Sequence, residues 1–163
     1  MTYRANSRWT RGIVAMLVCL GQLGWMSLAQ AQSSGSDYTP TVGQPGKDVV
    51  WVPTAQPMVD KMLEVAKLTA GDVHFDLGSG DGRIVIEAAR RYGARGLGVD
   101  YDPRLVKLAT DNAAKAGVSD HVSFFEQDIF KTDFSAASVV TMYLLPEYNL
   151  ALRPRLLALK AGT

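Results

Sequence analysis

Residues 76–82, Asp-Leu-Gly-Ser-Gly-Asp-Gly, have the types and spacing of a turn that binds a ligand. They join an apolar run typical of a strand, residues 73–77, to a run typical of a helix that begins at Arg83. Glycines at alternating positions allow the backbone to approach a ligand closely, and a helix that starts here would present free N–H groups and the positive end of its dipole. We therefore expect a nucleotide-binding turn.

The spacing of the glycines limits which nucleotide can bind. The dinucleotide fingerprint Gly-x-Gly-x-x-Gly would need its third glycine at position 83, which holds arginine, because the glycines stand at 78, 80 and 82. Asp76, two residues before the first glycine, would attract an ammonium group and repel a diphosphate. The turn therefore favours a zwitterionic cofactor, and a nicotinamide oxidoreductase is the less favoured alternative.

Residues 76–82 resemble motif I of the class I S-adenosylmethionine-dependent methyltransferases. The wider run 73–85 is similar to the seven-strand protein-lysine methyltransferases, and the similarity extends over residues 52–163. The resemblance implies an α/β fold, a Rossmann-like doubly wound parallel sheet in which strands one to four are present. It also implies S-adenosylmethionine as the cofactor and an amine, in protein lysine or in a small molecule, as the methyl acceptor.

Two acids at the ends of the predicted strands stand at places suited to this cofactor. Asp100 ends strand two, 24 residues after Asp76, where an acid can accept hydrogen bonds from both ribose hydroxyls. The resemblance implies that Asp128 accepts a hydrogen bond from the adenine amino group and that Ile129 packs against the adenine ring. Asp100 could instead be a surface acid before a turn, and Asp128 could close an Asx-type turn with Ile129 in the core. The predicted cofactor-binding residues are Asp76, Gly78, Ser79, Gly80, Asp100, Tyr101, Asp128 and Ile129.

The acceptor side follows strand four. Many methyltransferases that act on planar amino groups carry Asn/Asp-Pro-Pro-aromatic there, whereas residues 143–147 are Tyr-Leu-Leu-Pro-Glu. This difference disfavours methylation of bases or glutamine, and it agrees with the lysine-directed relatives. Tyr143 and Glu147 are the candidate catalytic residues, which would orient an amine. The alternatives are a strand-end core residue for Tyr143 and a first-turn acid, favoured by the helix dipole, for Glu147.

Other reactive sites are not indicated. His74 and His121 have no acid at a catalytic spacing and are expected to be structural, and no metal site is predicted. Charges of both signs are interspersed along the predicted helices, so no nucleic-acid groove is expected. Arg83 is expected to pair with Glu87 one helical turn later.

Strands and helices alternate along the chain, which indicates a parallel sheet. A first helix is expected from Thr54, as its N-cap, to about 69–71. The other predicted elements are strands at 73–77, 96–100, 121–126 and 137–143, and helices at 82–92, from Asp102-Pro103 to Gly117, and at 147–160 with a break at Pro154. Strand one is expected in the centre, with strands two and three on one side and strand four on the other.

The first 31 residues have the layout of a secretory signal peptide. Arg4, Arg8 and Arg11 precede an apolar run, residues 12–28, and Ala-Gln-Ala follows at 29–31. Cleavage there would leave 14 basic residues of the 17, against 16 acidic ones, with no stable membrane span. We expect an exported, periplasmic or secreted protein, with a flexible linker at 32–51 and the methyltransferase domain at 52–163; an uncleaved membrane anchor is the alternative.

The chain ends at a turn that, by the resemblance, leads into a fifth strand. The domain is therefore expected to be incomplete, with strand four as an exposed edge through which copies could associate. A cofactor-binding or interaction remnant without catalytic activity is the alternative function that this expectation leaves open.

Overall fold

The computed structural model describes residues 38–46 and 50–163. The predicted signal peptide lies outside the described residues. Four helices and four strands follow residue 55, and they alternate except that the third strand is followed directly by the fourth. They are α1 (Gln56–Val65), β1 (Val73–Leu77), α2 (Arg83–Tyr92), β2 (Arg95–Asp100), α3 (Pro103–Ala116), β3 (Val122–Glu126), β4 (Val139–Met142) and α4 (Pro146–Leu157).

The four strands form one parallel sheet in the order β3-β2-β1-β4. This order confirms the predicted α/β fold and the central position of β1. Because all four strands run in one direction, their carboxyl ends meet at a single edge. The residues that follow β1, β2, β3 and β4 are therefore brought together there.

Side chains along β1 alternate between the two faces of the sheet. Phe75 and Leu77 pack in one apolar cluster with Leu152 of α4. The opposite face carries α1, α2 and α3, joined through two further clusters. His74 and Asp76 point to this opposite face, and both are buried.

The predicted bounds of α2 and α3 agree with the structure because both helices have local sequence signals at their ends. Asp102 caps α3 by accepting a hydrogen bond from the Arg104 N–H, and Pro103 occupies the first turn. Gly93 and Gly117 end the two helices in the left-handed conformation. None of the helices among the described residues is long and apolar enough to cross a membrane.

Helix α1 ends at Val65, before the predicted 69–71, and two further helix predictions were wrong. Ala55, and not Thr54, is the N-cap of α1, because Thr54 is buried and its carbonyl accepts a hydrogen bond from Arg83. Helix α4 continues through Pro154 without the predicted break. Leu152, fully buried, and Arg155, bound to three carbonyls, anchor α4 on either side of that proline. These contacts oppose the ~3 kcal/mol cost of a proline inside a helix.

Gly96 of β2 tests the packing of the sheet against α2. A Cβ at Gly96 would lie 2.4 Å from Cγ1 of Val85, whereas one at Gly71 would meet only Thr69, at 3.7 Å. We expect Gly96→Ala to lower the free energy of unfolding by about 1–3 kcal/mol through overpacking. Gly71→Ala should stay within about 0.5 kcal/mol of the parent chain. Urea unfolding followed by circular dichroism measures both, and equal stability of the two variants would contradict this packing.

Candidate functional site

A cavity of about 580 Å³ opens at the carboxyl edge of the sheet. Its size falls within the ordinary range for small-molecule sites. The structure brings together residues as distant in the chain as Asp76 and Ile129 in its wall. All eight predicted cofactor-binding residues line it: Asp76, Gly78, Ser79, Gly80, Asp100, Tyr101, Asp128 and Ile129.

The glycine turn is shaped for close packing more than for donating to a ligand. Gly78, Gly80 and Gly82 all have positive φ, at 81°, 55° and 81°. A Cβ at Gly78 would lie 2.7 Å from Leu144, and one at Gly80 would lie 3.1 Å from the Trp51 ring nitrogen. Side chains from distant segments therefore close over this turn.

The expectation that the turn presents free N–H groups was wrong for most of its residues. The N–H groups of Gly78 and Ser79 both donate to the Val99 carbonyl at 2.9 Å. The Gly80 N–H donates to Oδ2 of Asp100 at 2.8 Å. These N–H groups are already hydrogen-bonded to the end of β2. Recognition of a ligand therefore depends on the side chains around the turn.

Asp100 holds the turn and also lines the cavity. Its second oxygen, Oδ1, accepts the Asp102 N–H at 3.0 Å, so both oxygens have a backbone partner. Burial raises the pKa of Asp100, and the hydrogen bonds from Asp102 and Gly80 oppose that rise. Each carboxylate oxygen retains acceptor capacity for a second donor. The predicted ribose contact is thus compatible with the structure, and Tyr101 lies beside it, half exposed.

Asp76 is buried at the end of the central strand. Its Oδ1 accepts a hydrogen bond from the Thr141 hydroxyl at 2.6 Å, and its Oδ2 is buried without a partner among the described residues. Burial, the main cause, raises the pKa of Asp76 to about 7, and the nearby charges of Asp100 and Asp81 add to the rise. A cation in the cavity would satisfy Oδ2 and stabilise the charged form.

His74 is connected to Asp76, which the sequence did not indicate. Nε2 of His74 lies 2.7 Å from the Thr141 hydroxyl oxygen, so one threonine joins the two ionisable side chains. Burial lowers the pKa of His74 to about 4, which keeps this ring neutral near pH 7. The one available signal was a polar residue, Thr141, within the apolar strand β4. His121, by contrast, is exposed.

The loop after β3 carries Asp128 and Ile129. Oδ1 of Asp128 accepts the Phe130 N–H at 2.9 Å, so the Asx-type turn of the alternative interpretation is present. Both Asp128 and Ile129 still line the cavity, so the turn and the predicted adenine contacts are compatible. Arg155 of α4 fixes this loop by donating to the carbonyls of Ile129, Phe130 and Thr132.

Arg83 does not pair with Glu87 as predicted. Its guanidinium binds Asp81, with Nε 2.9 Å from Oδ1, and donates to the Thr54 carbonyl at 2.9 Å. Glu87 pairs with Arg90 instead. The turn at Gly82 places Asp81 within reach of Arg83, and this pair ties the segment before α1 to the glycine turn.

Residues 50–54 form one wall of the cavity. The sequence interpretation assigned Val50 and Trp51 to the linker at 32–51, whereas in the structure both line the cavity. Trp51 lies against Gly80. A tryptophan shortly before an amphipathic helix was the only signal for this role.

The acceptor side of the cavity is aromatic and apolar. Tyr143 lines it and is 52% exposed, which rules out the strand-end core alternative for this residue. Glu147 is not part of the lining; it is exposed in the first turn of α4. Tyr148, which the sequence interpretation missed, lines the cavity and lies 5.6 Å from the Phe130 ring. Tyr148, and not Glu147, therefore lines the cavity together with Tyr143.

The donor set fits a cationic, zwitterionic cofactor. Asp76, Asp81, Asp100 and Asp128 all line the cavity, and the guanidinium of Arg83 is bound to Asp81. Such a site attracts an ammonium and a sulfonium and repels a diphosphate. Oδ2 of Asp76, which has no partner among the described residues, could accept a hydrogen bond from the ammonium group of S-adenosylmethionine. Within the described ranges, no group of three or more His, Cys, Asp or Glu side chains could hold a metal ion.

Comparisons with known proteins find methyltransferases among the relatives of this chain. The family model described as ANTKMT methyltransferase domain matches residues 76–163. A protein-lysine N-methyltransferase from Saccharolobus islandicus is 41% identical over 117 residues, which are 71% of this chain and 73% of that protein. The adenine nucleotide translocase lysine N-methyltransferase of Mus musculus is 31% identical over 84% of this chain and 64% of that relative. The chain spans less than half the length of several other lysine N-methyltransferases that it matches.

A solved structure is also similar. It is described as an RNA methyltransferase from Salinibacter ruber in complex with S-adenosyl-L-homocysteine. Its TM-score is 0.64 with 59% sequence identity, and the match covers 64% of this chain and 69% of that one.

Asp100→Asn tests the ribose contact. Loss of hydrogen bonds to a charged acceptor should weaken binding of S-adenosylhomocysteine by about ten- to a hundredfold. Binding of 5′-methylthioadenosine, which has the ribose but not the amino acid, should weaken equally. Isothermal titration calorimetry measures both ligands, with Asp120→Asn, an exposed acid, as the matched control. Unchanged affinity in Asp100→Asn would leave Asp100 with only its role in the turn.

Proposed function

Because this chain belongs to the class I S-adenosylmethionine-dependent methyltransferases, we propose that it transfers a methyl group from S-adenosylmethionine to the side-chain amine of a lysine in a protein. The observation that carries the proposal is the cavity at the carboxyl edge of the sheet, where buried carboxylates face an aromatic acceptor side. Two relatives that act on lysine, by their names, support this choice of acceptor.

The chain's own residues would hold the cofactor through its polar groups. Asp76 would bind the ammonium through Oδ2, Asp100 the ribose hydroxyls, and Asp128 the adenine amino group, with Ile129 against the ring. When bound, S-adenosylmethionine supplies an electrophilic methyl group on a sulfonium. The protein mainly has to fix its position and exclude water, since alignment of the reacting groups provides much of the rate enhancement.

The acceptor lysine must reach this site as a free amine. Tyr143, Tyr148 and Phe130 give the acceptor side aromatic walls. Aromatic faces attract the lysine ammonium on entry, and removal of water from that ammonium lowers its pKa. The Tyr143 hydroxyl is the candidate group for orienting the amine lone pair. Glu147 lies outside the cavity wall, and its catalytic role stays a prediction.

RNA is the second candidate acceptor, because the solved relative from Salinibacter ruber is described as an RNA methyltransferase. The charges of the site favour lysine. The carboxylates around the cavity repel a phosphate backbone, and cations nearby already have partners: Arg83 is bound to Asp81, and Lys131 lies 3.3 Å from Asp128. RNA recognition would require free basic groups along the strand.

Three further proposals rest on the sequence. The segment 1–31 directs export of the protein to the periplasm or the exterior, as its charge and hydropathy pattern indicate. Copies associate through β4, the outer strand of the described sheet. If the chain binds cofactor without turnover, a cofactor-binding function without catalysis replaces the enzymatic one.

The acceptor class can be tested with S-adenosylmethionine that carries a tritiated methyl group. We expect the full chain to label a cell extract in a protease-sensitive, RNase-resistant fraction, and acid hydrolysis to yield methylated lysine. Tyr143→Phe should reduce the labelling rate by about tenfold, the value of one hydrogen bond in the transition state. Tyr92→Phe, at the end of α2, is the control.

Label in an RNase-sensitive fraction would replace lysine by RNA as the acceptor. Absence of labelling in every fraction, with S-adenosylhomocysteine still bound, would favour a cofactor-binding function without catalysis.

A further inference from the structure

We propose that His74 and Thr141 are positioning residues that engage one oxygen of Asp76 and so reserve the other oxygen, Oδ2, for the cofactor's ammonium group. The inference rests on the proposed function, because it concerns how S-adenosylmethionine is held. The three side chains form a continuous buried chain: His74 Nε2 is 2.7 Å from Thr141 Oγ1, which is 2.6 Å from Asp76 Oδ1. All three residues are at most 6% exposed.

The direction of each hydrogen bond follows from the donors available. A hydroxyl has one proton, so when Thr141 donates to Asp76 it must accept from His74. His74 is therefore the neutral tautomer that carries its proton on Nε2. Its Nδ1 is buried without a partner in the described part of the chain, which is tolerable for an acceptor. In the opposite tautomer, Nδ1 would be a buried donor without a partner, which is the more costly arrangement.

This chain of side chains determines where Asp76 can exchange a proton or meet a cation. Oδ1 is engaged by the Thr141 hydroxyl, whereas Oδ2 has no partner among the residues that the structure describes, and Asp76 lines the cavity. Proton uptake and cofactor binding therefore compete for the same oxygen. His74 fixes the orientation of the Thr141 hydroxyl, and Thr141 in turn holds the carboxylate.

The charges around Asp76 oppose its ionisation in the free protein. Burial is the largest cause of its raised pKa, and the hydrogen bond from Thr141, the next largest influence, lowers it. Asp100 at the end of β2 and Asp81 before α2 raise the pKa further, and Arg83 of α2 is bound to Asp81. Asp72, just before β1, acts on His74 by raising its pKa.

The sign of the pH dependence follows. The ammonium of the cofactor favours the charged carboxylate, so binding lowers the pKa of Asp76 below its free value of about 7. At a pH below that free value Asp76 is mostly protonated, and binding then has to release its proton. Affinity should be constant above that value and fall as the pH decreases through it, by about tenfold per pH unit. Loss of the Thr141 hydrogen bond would raise the free pKa and move this decline to higher pH.

The experiment measures the affinity of S-adenosylhomocysteine between pH 5.5 and 8.5 by calorimetry. Thr141→Val and His74→Phe should shift the decline to higher pH, whereas Thr141→Ser, which keeps the hydroxyl, should retain the parent profile. Thr110→Val, an exposed threonine on α3, is the matched control. Identical profiles in Thr141→Val and Thr141→Ser would overturn the inference.

The parent chain provides a test that needs no buried substitution. It has two histidines, and His121→Gln assigns their ¹⁵N resonances. Nitrogen NMR should find His74 with its proton on Nε2, with and without S-adenosylhomocysteine. A proton on Nδ1 would overturn the inference even if binding were unchanged. Absence of S-adenosylhomocysteine binding at every pH would instead overturn the proposed function, and this inference with it.

Discussion

The hydrogen bond from Thr141 to Asp76 joins the central strand to its neighbour at the edge where the cavity opens. Asp76 can be this deeply buried because Thr141 satisfies one oxygen, and the second oxygen is available to a ligand. On the other side of β1, Asp100 binds the Gly80 N–H and holds the glycine turn. The parallel sheet order β3-β2-β1-β4 places both interactions beside one cavity. The carboxyl end of β1 thus contributes both to the packing of the sheet and to the wall of the cavity.

These contacts show that the glycine-rich turn differs from a phosphate-binding turn. In a phosphate-binding turn the backbone N–H groups are the ligand donors. Here the N–H groups of Gly78, Ser79 and Gly80 have protein partners, and the surrounding side chains include the carboxylates of Asp76 and Asp100. A cavity of that charge favours a cation, which explains why a sulfonium cofactor suits it better than a dinucleotide does.

Much of the fold could be predicted because its signals are local. The cap at Asp102, the glycines at 93 and 117 and the apolar period of the helices each act within a few residues, and the structure agrees with them. The errors concern tertiary contacts. Arg83 takes Asp81 and the Thr54 carbonyl as partners, and α4 continues through Pro154 because its neighbours in the helix are anchored.

The same distinction applies to the site. The predicted cofactor-binding residues meet at the cavity because each follows a strand of a parallel sheet, which a sequence pattern can reveal. The link from His74 through Thr141 to Asp76 spans 65 to 67 positions, and Trp51 reaches Gly80 from a segment that resembled a linker. Contacts at such separation leave no periodic signal in a single sequence.

The most direct test of the central claim compares two ligands on Asp76→Asn. S-adenosylhomocysteine has the amino acid portion whose ammonium we place at Asp76, whereas 5′-methylthioadenosine lacks it. Calorimetry should find binding of S-adenosylhomocysteine weakened by about tenfold or more, and binding of 5′-methylthioadenosine unchanged. Equal weakening of both ligands, or of neither, would contradict the position of Asp76 at the cofactor's ammonium group.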